Sequence, residues 1–128
     1  MISKRKNLVV GGIEAGGTKF VCAVGRGPED VRQPRNRQEF ATGDHPGRLI
    51  SRVIEWFREK QQEEPLSAIG IASFGPVDLA IGSASYGHIT STPKQGWANT
   101  DLVGPIQRAL GNIPVGFDTD TNGAGLGE

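Results

Sequence analysis

Cysteine is almost absent. The single Cys22 excludes an internal disulfide among the 128 residues. It lies in an apolar stretch and reads as a small buried hydrophobe, for which a reducing cytoplasm is the natural setting. An excess of charge of either sign is also missing. Fourteen basic and fourteen acidic side chains give zero formal net charge, whereas a broad nucleic-acid surface needs a positive excess. The basic run Lys4-Arg5-Lys6 falls in a short polar N-terminus and reads as a solvated tail. No apolar run approaches the ~20 residues of a membrane-spanning helix, and the first residues lack the apolar core of a signal peptide. One cysteine and two distant histidines cannot build a zinc site. His45 reads as a helix-start residue and His88 as a structural one. Neither a repeat nor a linker interrupts the chain, which is long enough for one folding unit with a modest core.

Glycine, by contrast, is abundant. The nineteen glycines gather at turns and beside strands rather than in a low-complexity tract. The most informative run is Gly11-Gly12-Ile13-Glu14-Ala15-Gly16-Gly17-Thr18-Lys19, followed by Phe20-Val21-Cys22-Ala23-Val24. An apolar strand enters, small residues turn the chain, and a second apolar strand leaves. Without a Cβ, backbone N–H groups can approach a bulky anion; Thr18 and Lys19 add a hydroxyl and a cation. From Gly12 to Lys19 the pattern is G-x-x-x-x-G-T-K, close to the P-loop G-x-x-x-x-G-K-[ST]. The last two residues are inverted, however, and a P-loop must open a helix, whereas Phe20 to Val24 is β-branched and aromatic. The dinucleotide pattern G-x-G-x-x-G is absent and would need a helix as well. Two readings remain, a phosphate-binding β-hairpin and an ordinary glycine hairpin turn.

The rest of the chain supplies a scaffold. Leu8 to Glu14 and Thr18 to Gly25 read as the first two strands, Arg26 to Asp30 as a turn around Gly27-Pro28, and Arg37 to Ala41 as an edge strand. Asp44 is the expected N-cap of a helix with Pro46 in its first turn. That helix carries Leu49, Ile50, Val53, Ile54, Trp56 and Phe57 at helical spacing and ends at residues 61–64. Ser67 to Phe74 suits a central parallel strand. The stretch from Val77 to Asn99 reads as a long functional loop, ordered by a buried Trp97 and by prolines. A short helix from Leu102 to Leu110, starting late because of Gly104-Pro105, precedes a buried strand at Ile113 to Phe117. Small residues after Asn122 should form a further helix. Antiparallel strands followed by β-α-β crossovers predict a mixed α/β sheet. Ligands then sit at the carboxyl ends of the parallel strands, at Phe74-Gly75-Pro76 and Phe117-Asp118-Thr119-Asp120, with the glycine hairpin beside them.

Four runs, in order and along nearly the whole chain, resemble a known family. Glu14-Ala15-Gly16-Gly17-Thr18-Lys19, Ser73-Phe74-Gly75-Pro76-Val77-Asp78, Thr92-Pro93-Lys94-Gln95-Gly96-Trp97 and Thr119-Asp120-Thr121-Asn122-Gly123-Ala124-Gly125-Leu126-Gly127-Glu128 are similar to the ROK (repressor, open reading frame, kinase) sugar kinases. The opening run is most similar to their fructokinase branch. The resemblance implies a lobe of the actin-like, ribonuclease H-like ATPase fold: a mixed sheet with leading antiparallel hairpin strands and flanking helices. It implies that Gly16, Gly17, Thr18 and Lys19 bind the ATP phosphates. Gly75, Pro76, Thr92, Thr119 and Asp120 would face the sugar, and Asp120 would be the catalytic base. Glu14 stands where the family usually has an Asp that helps hold Mg²⁺, often through water. Glu14 is one methylene longer. Thr119 stands where glucokinase-like members have Asn, so the sugar is read differently. Trp97 and Lys94 would brace the sugar loop, and Asp118 is the structural member of its acidic cluster.

The implied reaction is ATP-dependent phosphorylation of a hexose, most simply fructose to fructose 6-phosphate. The family's second phosphate loop, Glu-x-x-His sugar ligands, cysteine-rich zinc segment and adenosine-binding glycines would lie beyond Glu128. The expectation is therefore an N-terminal lobe of a kinase about twice this size or more, inactive alone, with any zinc confined to the missing C-terminal lobe. The family commonly forms homodimers. Nucleic-acid and membrane partners are not expected. Three alternatives stand beside a fructokinase: a ROK glucokinase or mannokinase, a non-catalytic sugar- or partner-binding domain, and a transcriptional repressor. The last needs a helix-turn-helix before the hairpin, and only ten residues precede Gly11.

Overall fold

A computed structural model describes residues 8–120; the basic run at residues 4–6 and the helix expected after Asn122 lie outside the described residues. Alternation of apolar and small residues makes strands of β1 (Val9–Ala15) and β2 (Lys19–Gly25). The helix α1 (Pro28–Val31), a 3₁₀ turn (Pro34–Asn36) and the edge strand β3 (Arg37–Ala41) follow. Then come α2 (Pro46–Glu63), β4 (Leu66–Ser73), the two-residue strands β5 (His88–Ile89) and β6 (Thr100–Asp101), α3 (Val103–Ala109) and β7 (Val115–Thr119). The main sheet runs β3-β2-β1-β4-β7. β1 is antiparallel to β2, β2 to β3, and β4 is parallel to both β1 and β7.

One face of this sheet is the core. Val9, Ile13 and Ala15 of β1, Phe20, Cys22 and Val24 of β2, and Ile69 and Ile71 of β4 are buried there. Leu49, Ile50, Val53 and Phe57 of α2 and Val103 and Ile106 of α3 cover them. Gly11 is small because the Phe57 ring lies over it; a Cβ there would stand 3.0 Å from the ring. The opposite face carries Val10, Gly12 and Glu14 of β1, which are exposed or half-buried.

Several expectations are corrected. The Gly27-Pro28 segment is a short helix rather than a plain turn: Pro28 supplies the first-turn φ, and the Asp30 carboxylate accepts the Arg26 N–H at 2.9 Å. His45, not Asp44, is the N-cap of α2, with no side-chain cap bond. The stretch from Val77 to Asn99 is not all loop, since β5 pairs with β6. α3 does not start late: Gly104 and Pro105 lie in its first turn, where the Asp101 carboxylate accepts the Gly104 N–H at 2.9 Å. β7 is shifted to Val115–Thr119 and is only partly buried, because β4 is its one neighbour in the described sheet.

Candidate active site

The register of the sheet decides where the predicted residues meet. Ala15 of β1 pairs with Ser73 of β4, and Ser73 with Thr119 of β7. One row therefore ends all three parallel strands, and two strand spacings separate Ala15 from Thr119, about 10 Å. The chain leaves this row into Gly16-Gly17-Thr18, Phe74-Gly75-Pro76 and Asp120 respectively. A bond from the Phe74 N–H to the Ala15 carbonyl, 2.7 Å, ties the first two exits together.

The glycine turn is tight. The Gly16 N–H donates to the Lys19 carbonyl at 2.9 Å, and a Cβ on Gly16 would lie 2.9 Å from that same oxygen. Thr18 and Lys19 are exposed beside it. The Lys19 ammonium rests 3.2 Å from the Glu39 carboxylate across the β2–β3 pair. Behind the turn sits Thr42, 1% exposed. Its hydroxyl donates to the Gly16 carbonyl at 2.7 Å and its N–H to the Thr18 carbonyl at 2.9 Å. Sequence reasoning missed Thr42, which belongs to no motif and earns its place only through β3.

The segment from Gly75 to Asp101 folds back over the same end. The Thr90 N–H and hydroxyl both donate to the Pro76 carbonyl, at 2.9 and 3.1 Å, so the run leading to Thr92 lies against Gly75-Pro76. The Thr92 hydroxyl accepts the Lys94 N–H at 3.3 Å. Trp97 is fully buried, its ring against Phe20 and Phe74, and its indole N–H donates to the Gly43 carbonyl at 2.9 Å. Asp78 accepts bonds from the hydroxyls of Ser83 and Ser85 and from the Ala80 N–H. Those bonds, Ser83 first, hold its carboxyl below the usual carboxylate range. His88 lies 3.8 Å from Asp101, whose carboxylate also accepts the Gly104 N–H of α3.

Asp118 lies within β7, where its carboxylate accepts the Thr119 N–H at 2.8 Å, and Asp120 is exposed at the strand's end. On the open face, Glu14, Ala72 and Asp118 form a second cross-strand row. Glu14 borders a cavity of about 320 Å³ floored by Gly12, Ala23 and Gly70 and flanked by Arg32 and Arg37. Among the described residues no group of three or more His, Cys, Asp or Glu could hold a metal. Burial pushes the Cys22 thiol up to about 12, which removes it as a nucleophile. No helix among the described residues is long and apolar enough to cross a membrane.

Comparison with known proteins is consistent along the chain. It is 47% identical over 118 residues to a fructokinase of Lactococcus lactis subsp. cremoris, covering 92% of this chain and 38% of that protein. To a putative fructokinase of Bacillus subtilis it is 48% identical over 120 residues, covering 94% and 37%. The chain thus spans well under half the length of the curated relatives it matches. Its fold is that of a ROK glucokinase from Streptomyces griseus solved with glucose and AMPPNP (TM-score 0.69, 20% identity, 91% of this chain and 35% of that one). It is equally that of a ROK hexokinase from Thermus thermophilus (TM-score 0.68, 24% identity, 93% and 37%). This is the actin-like, ribonuclease H-like fold, with its mixed sheet. The family model matches residues 10–128, and the chain belongs to the ROK family.

Proposed function

We propose that this chain is the N-terminal lobe of a cytoplasmic sugar kinase that transfers the γ-phosphoryl group of ATP to a hexose, with fructose, giving fructose 6-phosphate, as the substrate. The observation that carries this reading is the single row Ala15–Ser73–Thr119, which brings an anion-suited glycine turn and a carboxylate to one end of one sheet. In this reading Gly16, Gly17, Thr18 and Lys19 receive the nucleotide phosphates, and Gly75, Pro76, Thr92 and Thr119 orient the sugar. Asp120 accepts the proton of the attacking hydroxyl as the oxygen–phosphorus bond forms and the bond to ADP breaks. The carboxylate of Glu14, on the open face of the sheet, is a hard oxygen donor of the kind a hydrated Mg²⁺ takes, and Glu14 is the residue that would hold it. When bound, the ion neutralises charge on the transferred phosphate. A second lobe, contributed by sequence beyond this chain, would close the cleft and exclude water.

A coupled assay with Mg·ATP and a panel of hexoses tests this, run on the 128-residue chain and on a longer form. The expected result is sugar-dependent ADP release from the longer form only, with fructose favoured over glucose and mannose. Asp120→Ala should lower kcat by about 100- to 10,000-fold while ATP binding is largely retained. An unchanged kcat would remove Asp120 from the mechanism. ATP turnover by neither form with any hexose would favour a non-catalytic binding domain.

A further inference from the structure

From the geometry around Thr42 we infer that this residue is a positioning residue for the phosphate turn, and that Trp97 links it to the sugar-side segment. The inference rests on the nucleotide reading of the turn given above. A trans peptide unit is planar, with its C=O and N–H pointing in opposite directions. Thr42 holds the Gly16 carbonyl with its hydroxyl and the Thr18 carbonyl with its N–H. The N–H groups in those two peptide units, of Gly17 and Lys19, therefore point away from Thr42. One side chain and its own backbone thereby fix the orientation of two peptide units of the turn, and with them the Gly17 and Lys19 N–H groups that an anion at the turn would meet. Because Thr42 is buried, loss of its hydroxyl would strand the Gly16 carbonyl without its partner and free that peptide to rotate.

The second half of the device is Trp97. Its indole bond to the Gly43 carbonyl anchors the residue next to Thr42, and its ring lies 5.5 Å from Phe20 and 5.6 Å from Phe74, centroid to centroid. Phe20 follows the phosphate turn, and Phe74 precedes Gly75-Pro76. Gly96, at φ +86°, lets the backbone of the sugar-side segment meet the Asp44 carbonyl directly. A continuous packed path thus runs from the segment holding Thr92 to the glycine turn.

Amide spectra of the longer, two-lobed form, titrated with Mg·ATP and separately with tripolyphosphate, test the inference. In the wild type the amides of Gly16 to Lys19 should shift. Thr42→Val, which keeps the shape and removes the hydroxyl, should need at least ten-fold more of either probe, and Thr42→Ser should restore the response. Trp97→Phe, which keeps an aromatic ring and removes the N–H, should weaken the response about three-fold. This arm carries the test should Thr42→Val fail to fold. A wild-type response that Thr42→Val or a folded Trp97→Phe matches at the same probe concentrations overturns the inference alone. A folded wild type whose turn amides respond to neither probe overturns the nucleotide reading, and this inference with it.

Discussion

The backbone of Gly96 packs directly on the carbonyl of Asp44, so that a Cβ on Gly96 would overlap that oxygen. Gly96 also has φ +86°. Gly96→Ala should therefore lose at least ~2 kcal/mol, about 1–2 from the left-handed backbone and more from the clash. Gly111 is a matched control, since it has φ +88° with open space around its Cβ position. Gly111→Ala should lose only the first contribution. Urea unfolding of both variants checks the difference, and equal losses would deny the Gly96–Asp44 contact.

Cys22 is fully buried, and burial raises its thiol to about 12. At pH 8 the native chain should resist a disulfide reagent such as DTNB, whereas the urea-unfolded chain should react within minutes. Comparable rates in both states would show that the strand opens freely.

Asp78 has a depressed pKa in the folded chain, caused first by the Ser83 hydroxyl and then by Ser85 and the Ala80 N–H. The sign follows. The unfolded carboxyl binds protons more readily, so the stabilisation is present above its ordinary pKa and is lost as pH falls through the folded value. Asp78→Asn should flatten the acid limb of the stability curve below about pH 4 and leave its shape at pH 7 to 8 unchanged. Thermal melts across that range read this directly.

The Lys19–Glu39 pair is exposed on both sides, a setting in which ion pairs contribute only about 0.2–1 kcal/mol. Glu39→Gln should barely change stability but should release the ammonium toward a phosphate. In a catalytically competent form of the protein, KM for ATP should fall about two-fold at low salt, an effect that screening at high ionic strength erases. A rise in KM would mean that Glu39 holds Lys19 in its working position.

How much of this was legible beforehand depended on the range of the interactions involved. Strands β1, β2 and β3 and helix α2 followed from local pattern: alternation in Val9–Ala15, and the spacing of Leu49, Val53 and Phe57. The gathering of Gly16, Gly75 and Asp120 at one sheet end followed from topology rules for parallel strands. The β5–β6 pair did not, because two residues on each side carry no periodicity, and the pairing of His88 with Asp101 is a tertiary choice. Asp44 looked like a cap because its type suits one, but its carbonyl is engaged by Gly96 and the helix begins one residue later. Thr42 was invisible for a similar reason: its partners Gly16 and Thr18 are more than twenty residues away.

The pairing of β1 with β4 has a consequence for accuracy. Its one irregularity falls between Val9 and Val10, at the end remote from the turn, and from Val10 onward the ladder is regular up to Ala15 and Ser73. Sliding β1 by a single residue would drive the Glu14 carboxylate inward and turn Ile13 out to water, and sliding β4 would expose Ile69 and Ile71 in the same way. Misalignment of the chemistry is thus punished by the oil-like interior, and the same apolar residues that fold the protein proofread where its polar groups stand.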